Sequence, residues 1–191
     1  MFYNNFGKIN YRKTIIEVPL WKKLSFVFSY LCYFLQYLFL ICTFFVFIGI
    51  FFTIAFKDSI TELKIGIDLN QPLVLGFTIY TLVVAILILL CHSFSAKYFR
   101  YIMTNLSQNT YFTTSNSQNS LKICLFNIFI VLLQLSINLI QTYFNLNDMS
   151  SLFDFSHGSY LTNIIIAICA FSGYLIFKNG KLSKDDSESI I

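Results

Sequence analysis

An all-α integral membrane protein, built as a four-helix bundle, is the fold that this sequence predicts. Three observations carry the expectation: little charge, charge confined to short blocks, and four long uncharged stretches between them. Of 191 residues, 57% are hydrophobic and 12% are charged, and the mean hydropathy is +0.69. A soluble domain carries about 25% charged residues. Half that share cannot cover a water-facing surface, so most of the surface must meet something apolar. The clustering of the charges favours a membrane protein over an aggregation-prone fragment.

The first uncharged stretch runs from Leu24 to Phe56, the second begins at Leu73, the third follows Lys122, and the fourth begins near Ser159. Each meets the requirement of about 20 apolar residues for a hydrocarbon core about 30 Å thick. In lipid only helices and closed barrels satisfy the backbone. Long apolar runs without period-two alternation are helices. The expected division is a tail at 1–23, spans at 24–56, 73–95, 122–145 and 159–178, outer loops at 57–72 and 146–158, a cytoplasmic loop at 96–121 and a tail at 179–191.

The first stretch is too long for a simple span, reaching about 50 Å at 1.5 Å per residue. Its start, after Trp21-Lys22-Lys23, is expected to lie in or project from the inner interface. Tyr30, Tyr33 and Tyr37 recur there at helical spacing, as an interfacial face does. Helices one to three all have room to extend into the cytoplasm, and KYFRYIMTNL after the second span suits such an extension. The following residues, 108–120, read as polar and flexible. Within them Thr113 is a candidate helix N-cap with Asn116 at the third position. A cleaved signal peptide is not expected, because the apolar region is too long and no A-x-A site follows it.

Basic residues predict the orientation. Eleven of the thirteen Lys and Arg fall in the two tails and the 96–122 segment, leaving Lys57 and Lys64 on the opposite side. The positive-inside rule then puts both termini in the cytoplasm of a cell that bears this protein in its inner (plasma) membrane.

Chemistry-bearing residues are sparse. Cys32, Cys42, Cys91, Cys124 and Cys169 all lie in apolar stretches without a C-x-x-C, which reads as packing filler. His92 and His157 fall on opposite sides of the membrane and cannot share a metal. No G-x-S-x-G, H-E-x-x-H or P-loop pattern occurs. No ionisable group lies at membrane depth, against a coupled transporter. No catalytic residue, cofactor or metal is therefore expected. Aromatics weigh little here, since 23 Phe and 12 Tyr reflect a bias that AT-rich coding produces at drifting positions.

The most organised polar feature is a seam in the third span: Asn127, Gln134, Asn138 and Gln141. At about 100° per residue all four fall within roughly 60°. Interhelical hydrogen bonding, worth about 0.6–2 kcal/mol per contact, is the expected role. A cavity lining is the alternative. Thr78, Thr81, Ala85 and His92 form a small polar side of the second span, and Ala167, Ala170 and Gly173 a small-residue side of the fourth. Both read as packing faces. For His92 the alternative is a pH-sensitive group at the cytoplasmic mouth.

Two segments, NLSQNTYFTTSNSQNSLKI and FKNGKLSKDDSESII, resemble in order and spacing those of small bacterial four-helix membrane proteins of the YoaS-like family. Phe112, Thr113 and Asn116 echo that family's loop motif, with Tyr111 where a proline is usual. Phe177, Gly180, Leu182, Asp185, Ser189 and Ile190 echo its tail, which here is about one residue short and has a scrambled acidic pattern. The resemblance implies a bacterial inner membrane and a neighbouring gene for a Cro/CI-type helix-turn-helix regulator. It implies no activity. The combined expectation is a non-enzymatic protein that acts by interaction, with Phe112, Thr113, Asn116, Gly180, Leu182, Asp185 and Ile190 as candidate docking residues. Its partners are the lipid bilayer and that cytoplasmic regulator, with no direct nucleic-acid contact; the sequence leaves oligomeric state open. The alternative is a small channel, or an immunity or export accessory protein, that uses the polar seam.

Overall fold

In the computed structural model, which describes residues 20–62, 69–144 and 157–189, the chain is all-α. Four long helices, α1 (Leu20–Ala55), α3 (Pro72–Ser107), α4 (Thr114–Tyr143) and α5 (His157–Ser189), are joined by short connections, with a one-turn-and-a-half α2 (Lys57–Glu62) after α1. All four contain windows long and apolar enough to cross a membrane. This is a multi-pass membrane protein.

The helices pack in chain order. α1 lies on α3, α3 on α4, and α4 on α5, so the bundle is an open array with α1 and α5 at its edges. Burial follows the same order: a third of the apolar window is buried in α3 and in α4, against 0% in α1 and 11% in α5. Neighbours run antiparallel, as paired contacts at both ends show. Ser29 bonds Thr104 while Phe39 stacks on His92. Tyr80 bonds Ser136 while Asn105 bonds Asn116.

Val84, Ile88, Ile130 and Ile137 form the centre of the α3–α4 interface, the last two with no exposed surface. Lipid tails are as apolar as these side chains, so their burial gains packing rather than escape from water. The exposed Phe faces of α1, including Phe34, Phe44, Phe45 and Phe51, need no protein cover in that solvent.

Local chemistry sets the helix ends. Pro72 opens α3 at the first helical position, where its missing N–H is not needed. Thr113 caps α4: its backbone is extended and its hydroxyl accepts from the Asn116 N–H at 3.2 Å. Asn109 takes the left-handed conformation, φ 62°, that reverses the chain between α3 and α4.

α3 continues to Ser107, through the KYFRYIMTNL segment expected to extend it, while α4 already begins at Thr114, so the stretch at 108–120 read as flexible is helical from Thr114 on and only 108–113 is a turn. The 179–191 tail is a helix through Ser189, continuous with the fourth span. Along it Lys181 with Asp185 and Lys184 with Glu188 pair one turn apart on the exposed surface, each adding a few tenths of a kcal/mol. Asp148, Asp154 and Lys64 lie outside the described residues.

Candidate docking face and polar seam

At one end of the array the basic residues collect. From Lys97 the remainder of α3, and from Lys178 the remainder of α5, each run about 15–18 Å at 1.5 Å per residue. α1 matches them, because Tyr33 meets Arg100 and Ser29 meets Thr104, leaving Leu20–Tyr33 beside the end of α3. The three extensions and the 108–113 turn pack together in one projection.

Asn116 organises it. Its side chain has 0% exposure. It accepts from Asn105 Nδ2 at 2.6 Å and donates to the Thr110 and Tyr111 carbonyls at 2.9 and 2.7 Å. The Asn105 carbonyl in turn accepts from the Thr110 N–H and hydroxyl at 2.9 and 2.8 Å. Asn116 therefore has no face to offer a partner; it is a structural residue, which corrects its expected docking role.

With the turn so fixed, Phe112 is placed against α5. A β-carbon at Gly180 would collide with the Phe112 ring, so only glycine permits this approach. Lys181 Nζ donates to Thr114 Oγ1 at 2.8 Å across the same contact. On the other side Trp21 of α1 packs on Tyr111, ring centroids 5.5 Å apart. The loop and tail segments that carry the candidate docking residues thus meet in one surface. Phe112 (43% exposed) and Leu182 (55%) point outward from it. Thr113, Leu182 and Asp185 border a small cleft of about 210 Å³ between α4 and α5. Ile190 lies outside the described residues.

The helix-three seam divides between two neighbours. Asn127 faces α3, donating to Ser95 Oγ at 3.5 Å and to its own Ile123 carbonyl at 2.8 Å. Gln134 and Asn138 face α5: Asn163 Nδ2 donates to Gln134 Oε1 at 3.3 Å, and Asn138 donates to the Tyr160 hydroxyl. Gln141 is half-buried and makes no side-chain hydrogen bond among the described residues. Farther along α4, Ser120 donates to the Ala170 carbonyl at 2.7 Å. A β-carbon on Gly173 would lie 2.8 Å from that Ser120 hydroxyl, so the small side of α5 is where α4 comes closest. Thr78 and Thr81 return their hydroxyls to carbonyls of their own helix at 2.9 Å.

Sequence reasoning missed Asn105, Tyr160 and Asn163, which complete these networks. Asn163 had one available signal, an amide inside an otherwise apolar run. Cys32, Cys91 and Cys124 are buried, Cys42 is half-buried and Cys169 is exposed; all are free thiols. His92 stacks on Phe39 with centroids 5.4 Å apart, between α1 and α3. Among the described residues no three His, Cys, Asp or Glu side chains gather as a metal site would need. Comparison with protein-family models, with curated proteins and with solved structures finds no match for this chain.

Proposed function

We propose that this protein is a membrane-anchored docking platform, with both termini and the helical projection on the cytoplasmic side of a bacterial inner membrane. One observation carries the reading. Three helices outrun the apolar belt at the basic end, and there they keep large apolar side chains exposed: Leu20, Leu24, Phe28, Phe112 and Leu182. Beyond the hydrocarbon core such groups face water, and large apolar side chains held exposed there support an interaction surface. Eight of the nine basic residues described, all but Lys57, lie at that end, which supports the cytoplasmic assignment.

The partner we propose is a small helix-turn-helix regulator, on the resemblance of the 105–123 and 177–191 segments to the YoaS-like family. The platform holds the regulator by protein contact and touches no nucleic acid itself, and it performs no catalysis. The rival reading, a channel or an immunity or export accessory protein, depends on the helix-three seam. It is the weaker reading, because Gln134, Asn138 and Asn127 all have hydrogen-bond partners within the array.

Co-purification of the detergent-solubilised protein with the regulator encoded beside it tests the proposal. Wild type is expected to retain the regulator, and Leu182→Asp, which spares the contact of Phe112 with Gly180, to lose it while keeping the helical content and melting temperature. Failure of wild type to retain it, or equal retention by the variant, defeats the proposal. Labelling of a cysteine placed at Asp185 in intact cells tests the orientation separately: modification by an impermeant reagent from outside overturns it.

A further inference from the structure

Along α3 the side chains of Ser93, Lys97, Arg100 and Thr104 recur at helical spacing on the face toward α1. Ser93 donates to the Gln36 carbonyl at 3.3 Å and Thr104 pairs with Ser29 at 3.0 Å, which fixes the two helices on either side of the basic pair. Between those bonds the Arg100 guanidinium lies over the Tyr33 ring, 5.0 Å from its centroid, and 5.3 Å from that of Tyr101. Stacking orders the guanidinium plane while leaving its N–H edge free, and among the described residues none of those donors has an acceptor. No Asp or Glu occurs anywhere between Asp68 and Asp148, nor within α1. The charge of Arg100 and Lys97 is therefore uncompensated by any carboxylate of α1, α3 or α4.

Position along the membrane normal completes the picture. The uncharged stretch of α3 ends at Ala96, immediately before Lys97, and the first cation after a span is where lipid phosphates are to be expected. The Tyr33 hydroxyl donates to that of Tyr37 at 3.3 Å, and the Tyr37 O–H has no acceptor of its own among the described residues. One turn deeper than Tyr37, Ile41 is exposed and apolar on this side. A planar, pre-ordered guanidinium, a second cation one turn away and a free phenol above an apolar wall suit a phosphodiester with acyl chains below it.

We propose that the α1–α3 rim binds an anionic phospholipid, with Arg100 donating to its phosphate, Lys97 adding charge, and Ile41 carrying an acyl chain. The site is independent of the docking surface at Phe112 and Leu182, and it stands if that surface proves unoccupied.

The test uses the full-length protein in detergent, titrated with phosphatidylglycerol or phosphatidylethanolamine and followed by native mass spectrometry and melting temperature. Phosphatidylglycerol is expected to remain bound and to raise the melting temperature, with phosphatidylethanolamine at least tenfold weaker. Arg100→Gln should weaken phosphatidylglycerol binding about tenfold and Lys97→Gln severalfold, while Lys184→Gln, at a remote exposed site, should bind as wild type. Lys97→Gln leaves both rings around Arg100 intact and so decides the matter if Arg100→Gln does not fold. Equal binding of the two lipids, unchanged binding by Lys97→Gln, or an equal loss in Lys184→Gln would overturn the proposal. So would protection by inorganic phosphate alone that matches the lipid.

Discussion

The ring of Phe112, in the turn before α4, rests on the backbone of Gly180 in α5 with no room for a β-carbon between them. Two segments nearly seventy residues apart are thereby locked into one surface, and the lock has a removable half. Gly180→Ala must push the ring aside, and overpacking of this kind costs about 1–3 kcal/mol. In a Phe112→Ala background the same change has nothing to strike. A double-mutant cycle on detergent-purified protein should therefore give a coupling above 1 kcal/mol. Additive effects would show that the ring does not rest there in solution.

Asn116 is the residue on which the turn's backbone depends. Asn116→Leu keeps the volume but strands the Thr110 carbonyl, leaves that of Tyr111 only its bond from the Thr113 N–H, and removes the acceptor for Asn105. Each buried polar group left without a partner costs about 1–3 kcal/mol, less where water can reach it. A net loss of about 2 kcal/mol is expected, with faster amide exchange at 109–113 and no change in the spans. Asn105→Ala removes only one of the three bonds and should be milder. Equal effects from the two variants would contradict this hierarchy.

These two sites also mark where the sequence was legible. Long uncharged runs betray helices in lipid because nothing else satisfies the backbone there, and the Thr113 cap follows from a local Thr–x–x–Asn spacing. The inward aim of Asn116 and the continuation of helix through the tail were not legible. Both depend on tertiary contacts: Asn116 is fixed by Asn105 eleven residues earlier, and the end of α5 is braced by Lys181 on Thr114. Polarity alone cannot distinguish a flexible loop from a helix that has left the membrane. Nor does periodicity reveal which neighbour a polar face meets. The seam's single stripe hid the fact that Asn127 turns to α3 while Gln134 and Asn138 turn to α5.

That division makes the seam a graded test. Gln134→Leu removes the bond from Asn163 Nδ2 to Gln134 Oε1 and should lower stability by about 0.6–2 kcal/mol, the range for interhelical polar contacts in membranes. Gln141→Leu removes a side chain with no hydrogen bond among the described residues and should be within about 0.5 kcal/mol of wild type. Melting temperatures in one detergent suffice for the comparison. If the seam lined a pathway instead, ion or solute flux into vesicles would fall in both variants while their stabilities stayed level.

Gln36 carries the opposite sign. Its Oε1 is buried against α3 with no hydrogen-bond partner, although its main-chain carbonyl accepts from Ser93. A buried acceptor left unmade opposes folding by about 1–3 kcal/mol, and leucine fills nearly the same volume without that polar group. Gln36→Leu should therefore raise the melting temperature, whereas Ser93→Ala, which breaks the neighbouring bond to the backbone, should lower it. A fall on Gln36→Leu would mean that the amide has a bonding partner in the folded protein, and the α1–α3 contact would then have to be drawn around that partner.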